Sequence, residues 1–239
     1  MMDTIKLNLK GVKMVAHRGA SGLERENTCA AFVAAGNRSY SGIEADVHRT
    51  KDGQFIVVHD DDLLRVAGVN WVVEETAFER LRSVYLSDLG GTVRKDLFLP
   101  SLEEYVTICK RYQKDCVLEI KNHIEEEDIN RLVNNVRELG WLERTIFISF
   151  DLDNLIAVRK LLPNQPIQFL TDKMDQKVLD ILNKYRFDLD VKYTGISQSQ
   201  IKRLRSQGIN VNVWTVDDPQ VAKTMAGYGV NYITTNILE

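Results

Sequence analysis

The feature that most constrains the fold is a regular alternation between short β-rich runs and amphipathic stretches along the chain. Such alternation is typical of α/β proteins, in which a helix joins each strand to the next parallel strand. The sixth β-rich run is the least strand-like, because Asp188 and Asp190 are poor strand formers. The predicted strands are residues 13–16, 43–47, 116–120, 145–149, 166–170, 189–191, 210–214 and 231–234.

The stretches between these runs are bounded by residues that typically begin and end helices. Asn27, Asp151 and Asp217 stand where helix N-caps are expected, and Gly140 and Gly208 stand where helices end. Strands and helices alternating in a chain of 239 residues predict an α/β fold of the (β/α)8 TIM barrel type. Such a barrel commonly fills about 250 residues, so residues 1–239 are expected to form one domain. The predicted helices are residues 28–38, 102–112, 126–139, 152–162, 176–184, 198–207 and 219–227.

One segment interrupts the alternation after the second strand. Lys51-Asp52-Gly53 is a turn signal and residues 54–58 are a further β-rich run, which together predict a hairpin. The next clear helix begins only near Ser101. We therefore expect a small insertion, at about residues 60–100, that covers part of the barrel mouth.

Composition excludes several kinds of partner. The net charge is −3 and no block of Lys and Arg is present, which argues against binding to nucleic acid or to an anionic membrane surface. No apolar stretch is long enough for a signal peptide or a membrane span. The three cysteines have no CxxC spacing and are expected to be free thiols, which suits a reducing compartment. The expected location is cytoplasmic.

Reactive side chains cluster at the carboxyl ends of the predicted strands. In a (β/α)8 barrel these ends meet on one rim, where active sites of the fold are found. Residues far apart in sequence are therefore expected to share one pocket. The residues are His17 and Arg18 after the first strand, Glu44 and Asp46 on the second, His59 after the hairpin, Glu119 and Lys121 on the third, Phe150 after the fourth and Trp214 on the seventh.

The carboxylates at these ends suggest a cation site. Glu44 and Asp46 are two residues apart on a strand, so both side chains point to the same face. Burying such carboxylates is costly unless their charge is compensated. Together with Glu119, they would suit a hard divalent cation, which prefers oxygen ligands. The alternative is a set of salt bridges to Arg18 and Lys121.

The other rim residues suit phosphoryl chemistry. His17 and His59 can supply a general base and a general acid near neutral pH. Arg18 and Lys121 add positive charge suited to a phosphate, which arginine can bind through two hydrogen bonds.

These residues lie in motifs that resemble the glycerophosphodiester phosphodiesterase family. The similarity runs from His17 to Asn236, and six ordered motifs make it specific. The motifs are His17-Arg18-Gly19-Ala20 with Glu26-Asn27-Thr28; Glu44-Ala45-Asp46-Val47 with Thr50-Lys51-Asp52-Gly53 and Val57-Val58-His59-Asp60; Pro100-Ser101-Leu102-Glu103-Glu104; Glu119-Ile120-Lys121; Ser149-Phe150; and Trp214-Thr215-Val216-Asp217.

The resemblance implies a phosphatidylinositol-phosphodiesterase-like (β/α)8 barrel and a small-molecule substrate. The implied reaction hydrolyses a glycerophosphodiester to glycerol 3-phosphate and an alcohol, through a cyclic phosphate. It also implies roles for the rim residues: Glu44, Asp46 and Glu119 as ligands of one divalent cation, Mg²⁺ or Ca²⁺, His17 and His59 as the acid–base pair, Arg18 and Lys121 as phosphate ligands, and Phe150 and Trp214 as the apolar side of the pocket.

The chain departs from the family pattern in three places. Arg25 replaces the proline usual before Glu-Asn-Thr, which affects mainly the stiffness of the loop. The last strand ends in Thr234-Thr235-Asn236, where Thr-Asp followed by a proline nearby is common. The sequence of the insertion matches the family pattern only loosely. Substrate choice is therefore the property that the resemblance predicts least well.

Other functions stay open at this point. A lyase of the sphingomyelinase D type would stop at the cyclic product, and a non-catalytic barrel would only bind phosphate. A metal-dependent amidohydrolase usually has His-x-His on its first strand, where this chain has His17-Arg18. His48 and His123 are expected to have supporting or surface roles, because both are predicted to lie beyond the strand ends.

Overall fold

The computed structural model describes residues 3–239 and contains a closed barrel of eight parallel strands. The barrel order is β1-β2-β6-β7-β8-β9-β10-β11, and pairing of β11 with β1 closes it. The predicted (β/α)8 fold is therefore confirmed. The strands are β1 (Lys13–Ala16), β2 (Gly42–Arg49), β3 (Phe55–Val57), β4 (Leu86–Ser87), β5 (Val93–Arg94), β6 (Asp115–Ile120), β7 (Thr145–Ser149), β8 (Ile167–Thr171), β9 (Asp188–Lys192), β10 (Val211–Trp214) and β11 (Tyr232–Thr235).

Amphipathic helices surround the barrel. On α5, for example, Ile129, Leu132, Val133 and Val136 are fully buried at helical spacing, which places one face of that helix against the strands. The outward-facing strand residues pack against such faces and form the main core. The helices are α1 (Cys29–Gly36), α2 (Leu64–Ala67), α3 (Phe78–Arg82), α4 (Leu102–Arg111), α5 (Glu126–Glu138), α6 (Leu152–Leu161), α7 (Gln176–Tyr185), α8 (Gln198–Ser206) and α9 (Pro219–Tyr228).

Side-chain alternation along the strands divides the core in two. On β6, Leu118 belongs to the core between barrel and helices, whereas Val117 belongs to a small cluster inside the barrel. Glu119 has the parity of Val117 and therefore faces the interior near the carboxyl end. The same alternation directs Glu44 and Asp46 of β2 inward.

Two of the predicted helix caps are wrong by one residue. Thr28, not Asn27, caps α1, because its hydroxyl accepts a hydrogen bond from Ala31 N at 3.2 Å. Asp218, not Asp217, caps α9 by accepting from Val221 N at 3.1 Å. In both cases the preceding residue has a side-chain partner on another segment. Asp151 caps α6 as predicted.

The sixth barrel strand, β9, forms despite its two aspartates. The Asp188 carboxylate accepts hydrogen bonds from the backbone N and the side-chain Nδ2 of Asn210, at 2.7 and 2.9 Å. These bonds join β9 to the start of β10, so this carboxylate does not oppose strand formation. Leu189 and Val191 are fully buried in the main core.

The insertion after the second strand is confirmed and has a small core of its own. The chain turns from β2 into the antiparallel β3, and short elements including α2, α3 and the β4–β5 hairpin follow. Leu63, Leu81 and Leu97 are buried in this core of the insertion. Arg25, the departure from the family proline, donates to the carbonyl oxygens of Ser87 and Asp88 and so fastens the insertion to the loop after β1.

Two further observations concern membrane spans and cysteines. Within residues 3–239, no helix combines the length and the apolar character needed to cross a bilayer. Cys29, Cys109 and Cys116 are free, as predicted.

The cap assignment can be tested by stability. Thr28→Ala removes a buried hydroxyl that caps α1 and also donates to Arg25 O at 2.7 Å, so we expect a loss of about 1 kcal/mol in the free energy of unfolding. Thr28→Ser keeps the hydroxyl and is the control. Urea denaturation of both variants measures the difference, and equal stability of Thr28→Ala and the parent protein would contradict the assignment.

Candidate active site

Seven of the nine rim residues predicted from the sequence line one pocket at the carboxyl ends of the strands. The pocket encloses about 380 Å³, including its open mouth. The other two, Asp46 and Lys121, lie outside the lining but are connected to it, because the Lys121 ammonium contacts the carboxylates of Asp46 and Glu119. The lining residues are His17, Arg18, Glu44, His59, Glu119, Ile148, Phe150, Leu170, Asp190, Trp214 and Thr234.

Glu44, Asp46 and Glu119 form a tight group, here called the carboxylate cluster. Their side-chain oxygens include a set that all lie within 4.8 Å of one another, and all three residues are buried. Burial raises the pKa of Glu44 well above its usual value, and the charges of Asp46 and Glu119 add to the rise. Burial and Asp46 raise the pKa of Glu119 to about 7. Full ionisation of all three carboxylates is therefore unfavourable, and without a cation the cluster tends to hold protons.

Two cations relieve part of that charge. Arg18 Nε lies 3.3 Å from Asp46 Oδ2, and Lys121 Nζ lies 2.8 Å from Glu119 Oε1 and 3.6 Å from Asp46 Oδ1. Burial alone would raise the pKa of Asp46, but the positive charges of Arg18 and Lys121 outweigh it and lower that pKa. Arg18 is shared with Glu26, whose Oε1 lies 2.8 Å from Arg18 Nη1. Salt bridges are present, as the alternative interpretation expected, yet they do not neutralise the cluster.

The donor set fits a divalent cation. Asp46 Oδ1 is buried and has no hydrogen-bond partner within residues 3–239, whereas Asp46 Oδ2 accepts from Asn27 Nδ2 at 2.7 Å. A buried carboxylate oxygen without a partner is costly, and a bound cation would remove that cost. Three carboxylates offer only hard oxygen ligands, which Mg²⁺ and Ca²⁺ prefer.

A network from the last strand holds His17. Its Nδ1 lies 2.8 Å from Asn236 Oδ1, which also accepts from Ser21 Oγ at 2.7 Å. The Asn236 amide donates from Nδ2 to Asp217 Oδ2 at 2.6 Å, so its oxygen faces the imidazole. Nδ1 must then carry the proton, and Nε2 is left as the acceptor. Burial lowers the pKa of His17, and Arg18 lowers it further.

His59 has a different partner. Its Nδ1 lies 2.7 Å from the carboxylate of Asp60, and Arg65 bonds to Asp60 and to Glu26 at 2.7 and 2.8 Å. Burial lowers the pKa of His59, and the charges of Arg18 and Lys121 lower it further, while the charge of Asp46 and the hydrogen bond to Asp60 oppose this shift. The two imidazoles thus differ: an amide oxygen supports His17 and a carboxylate supports His59. A carboxylate partner stabilises an imidazolium better than an amide does.

Aromatic and aliphatic side chains form the opposite wall. The rings of Phe150 and Trp214 meet edge to face, with centroids 5.9 Å apart, and Ile148 and Leu170 lie beside them. Phe150 is 47% exposed, which places it at the mouth rather than in the core.

The two remaining histidines lie outside the pocket lining. The prediction that His48 lies past the end of its strand is wrong, because β2 continues to Arg49. The His48 imidazole is fully buried, lies 3.2 Å from Glu74 Oε1 and reaches the carbonyl of His59 at 3.4 Å, which is a supporting role. His123 is exposed, as expected.

Sequence reasoning missed several contributors to the site. Asn27 binds the carboxylate cluster and has a left-handed backbone with φ of 52°, a conformation that asparagine tolerates well. Asp60 and Asn236 hold the histidines, and Asp190 lines the pocket floor. Only the Glu26-Asn27-Thr28 and His59-Asp60 motifs gave a signal, and Asn236 was visible only as a departure from the family pattern.

Comparisons with known proteins identify the family of the chain. The model of the Glycerophosphoryl diester phosphodiesterase family matches residues 17–239. The chain is 28% identical to a glycerophosphodiester phosphodiesterase of Bacillus subtilis strain 168, over 93% of this chain and 82% of the relative. It is also 28% identical to the glycerophosphodiester phosphodiesterase of Caldanaerobacter subterraneus subsp. tengcongensis, over 93% of each.

A solved structure shares the fold over nearly the full length. It is a phosphodiesterase from Oleispira antarctica in complex with the product sn-glycerol-3-phosphate, with a TM-score of 0.85 and 23% identity over 94% of this chain and 92% of that chain. The barrel and its rim pocket place the protein among the (β/α)8-barrel enzymes. Within that class, the chain belongs to the glycerophosphoryl diester phosphodiesterase family and is a phosphoric diester hydrolase.

The His17 network predicts a measurable pKa change. In Asp217→Asn/Asn236→Asp the amide and the carboxylate exchange places, so the same hydrogen bonds can form but a negative charge faces His17. We expect the pKa of His17 to rise by roughly one unit, the lower end of the effect of an adjacent opposite charge. NMR titration of the imidazole resonances measures it, with Ser21→Ala as a charge-neutral control. An unchanged pKa in the double variant would contradict the network.

Proposed function

We propose that the protein hydrolyses small glycerophosphodiesters to glycerol 3-phosphate and an alcohol, by acid–base catalysis through a cyclic phosphate. One observation carries the proposal. Two imidazoles with different partners, His17 and His59, line the same small pocket as Arg18 and two members of the carboxylate cluster, Glu44 and Glu119. A non-catalytic barrel that only binds phosphate would not require a paired acid and base. The presence of both histidines therefore argues against that alternative.

The roles of the histidines follow from their partners. His17 presents an unprotonated Nε2, so it would accept the proton of the glycerol 2-hydroxyl as that oxygen attacks phosphorus. His59, supported by the Asp60 carboxylate, would give its proton to the alcohol oxygen as the P–O bond to the alcohol breaks. Water would then open the cyclic phosphate, with His59 as base and His17 returning the proton to the 2-oxygen. Internal attack gains from the high effective molarity of a neighbouring hydroxyl.

The remaining groups would position and stabilise charge. Arg18 and Lys121 would bind the phosphoryl oxygens, and the edge-to-face pair Phe150 and Trp214 would contact the carbon atoms of the substrate. The carboxylate cluster would hold one divalent cation, Mg²⁺ or Ca²⁺, which when bound supplies Lewis-acid stabilisation of phosphoryl charge. Asp46 Oδ1, which accepts no hydrogen bond within residues 3–239 and has only the Lys121 ammonium nearby at 3.6 Å, is the feature that best supports this cation.

Relatives support the same reaction. The two bacterial relatives are glycerophosphodiester phosphodiesterases, and the Oleispira antarctica enzyme holds sn-glycerol-3-phosphate, the product proposed here. A lyase that stops at the cyclic phosphate would share the first step, so product analysis must separate the two reactions.

The test uses purified protein, glycerophosphocholine and its 2-O-methyl analogue. We expect release of glycerol 3-phosphate and choline from the first substrate and no cleavage of the second, because the blocked oxygen cannot attack phosphorus. His17→Ala and His59→Ala should each lower the rate by roughly 10²–10⁴-fold, the usual contribution of a positioned acid or base. His123→Ala, which changes an exposed imidazole, is the matched control.

Each part of the proposal has its own contrary result. Efficient cleavage of the 2-O-methyl analogue would exclude the cyclic route. Accumulation of cyclic phosphate as the final product would identify a lyase. A rate in His59→Ala close to that of the parent protein would remove His59 from the acid–base pair.

A further inference from the structure

Arg65 is a partly exposed arginine to which the proposed reaction assigns no role. It lies on α2 of the insertion, and its side chain is 44% exposed. Four hydrogen bonds of 2.7–3.0 Å connect its guanidinium to the carboxylates of Asp60 and Glu26, two to each. Exposed ion pairs usually contribute little to stability, but a guanidinium that binds a carboxylate through two N–H groups fixes the orientation of that carboxylate.

One nitrogen of Arg65 contacts both of the oxygens that hold two pocket side chains. Arg65 Nη2 lies 3.0 Å from Asp60 Oδ1 and 2.8 Å from Glu26 Oε1. Asp60 Oδ1 is the oxygen that lies 2.7 Å from His59 Nδ1. Glu26 Oε1 is the oxygen that lies 2.8 Å from Arg18 Nη1. A continuous chain of contacts therefore runs from His59 to Arg18 through Arg65.

On the side of His59, Arg65 fixes the carboxylate of Asp60. Asp60 Oδ2 accepts from Arg65 Nε at 2.7 Å, so both oxygens are bound and the carboxylate is held against rotation away from the imidazole. The hydrogen bonds from Arg65 lower the pKa of Asp60 to about 2, so this carboxylate is ionised at neutral pH. An ionised Asp60 keeps a proton on His59 Nδ1, which leaves Nε2 for the substrate.

On the side of Arg18, Arg65 shares the charge of Glu26. Both arginines bind Glu26 Oε1, and Arg65 Nη1 also binds Glu26 Oε2 at 2.8 Å. Burial alone would raise the pKa of Glu26, but the hydrogen bonds and charges of the two arginines outweigh it and lower that pKa. Because Arg65 holds Glu26 in place and shares its charge, Arg18 has a fixed position in the pocket lining and keeps positive charge for a phosphate.

We propose that Arg65 is a positioning residue that sets two groups of the pocket together: His59 through Asp60, and Arg18 through Glu26. This inference rests on the proposed function, in which His59 protonates the departing alcohol and Arg18 binds phosphate. Arg65 belongs to the insertion, whereas Glu26 lies in the loop between β1 and α1. Packing of the insertion against that loop therefore orders the acid and the phosphate ligand together.

The test compares two diesters of glycerol 3-phosphate that differ only in the departing group. Choline departs as a poor leaving group and needs a proton, whereas p-nitrophenol departs as a stable phenolate and does not. Both substrates keep the attacking 2-hydroxyl. Single-turnover release of choline or of p-nitrophenol isolates the first step, because opening of the cyclic phosphate is common to both. Each titration gives a maximal rate constant and a half-saturating protein concentration.

Arg65→Met removes the guanidinium and keeps an unbranched side chain. The rate constant for choline release should fall on the order of 10²-fold, the usual loss when a reacting group is misplaced, whereas p-nitrophenol release should change only slightly. The half-saturating protein concentration should rise equally for both substrates, because Arg18 is less well placed. Arg65→Lys keeps the charge but lacks the planar fork, so it should recover only part of each loss.

Single variants separate the two sides of Arg65. Asp60→Asn should reproduce the selective loss of choline release, and Glu26→Gln should reproduce the rise in half-saturating concentration. Adding Arg65→Met to Asp60→Asn should lower the rate constant little further, because residues that act through one contact are not additive. If Arg65→Met does not fold, Arg65→Lys and Asp60→Asn provide the same comparison between the two substrates.

Arg94→Met is the matched control. Arg94 also lies on the insertion, and it joins Asp96 of the insertion to Glu24 of the loop after β1, at 2.6 and 3.5 Å. Within residues 3–239, the side chains of Asp96 and Glu24 make no hydrogen bond to a residue that lines the pocket. Arg94→Met should therefore leave both rate constants unchanged.

The contrary results distinguish this inference from the proposed function. Equal losses of choline and p-nitrophenol release in Arg65→Met would overturn the inference, because a residue that acts through the acid must affect them differently. The same selective loss in Arg94→Met would also overturn it, since loosening of the insertion would then be sufficient. Both of these results leave the proposed function standing. Failure of the parent protein to release either alcohol would contradict the proposed function itself.

Discussion

The structure depends most on the burial of Glu44, Asp46 and Glu119 at the carboxyl end of the barrel. Three carboxylates with oxygens within 4.8 Å of one another repel strongly in a site that water reaches poorly. Two cations, Arg18 and Lys121, offset part of this repulsion, and the rest can be offset either by protons or by a bound cation. The positions of Arg18 and Lys121 beside the cluster are consequences of this one constraint.

A second layer of residues keeps this arrangement rigid. Arg65 joins Glu26 to Asp60, which connects the loop after β1 to the residue that holds His59. Asp217 fixes the amide of Asn236 and thereby the ring of His17. The insertion is also fastened to the loop after β1 through Arg25, so the pocket mouth is supported from both sides. Within residues 3–239, four of the five buried side-chain atoms without a hydrogen-bond partner belong to this site, on Arg18, Asp46, Asp190 and Trp214, as expected for a functional site.

Much of this could be predicted from the sequence. The eight strands and the inward parity of Glu44, Asp46 and Glu119 follow from short-range patterns, because alternation fixes which face a strand residue occupies. The partners of the histidines could not be predicted in the same way. Asn236 is 219 residues from His17 in sequence, and only closure of the barrel brings them together. The caps at Thr28 and Asp218 were missed because Asn27 and Asp217, equally good capping residues, have partners on distant segments.

The most direct test of the account is calorimetric titration of the protein with Mg²⁺ or Ca²⁺ at pH 6, 7 and 8. The raised pKa of Glu119, about 7, means that the cluster holds protons at the lower end of this range. A cation must displace them, so affinity should increase from pH 6 to pH 8, and proton release should be greatest at pH 6. Asp46→Asn should weaken binding by removing a charged ligand, whereas Asp61→Asn, outside the cluster, should not. Absence of saturable binding of either cation at all three pH values would contradict the central claim that the carboxylate cluster is a cation site.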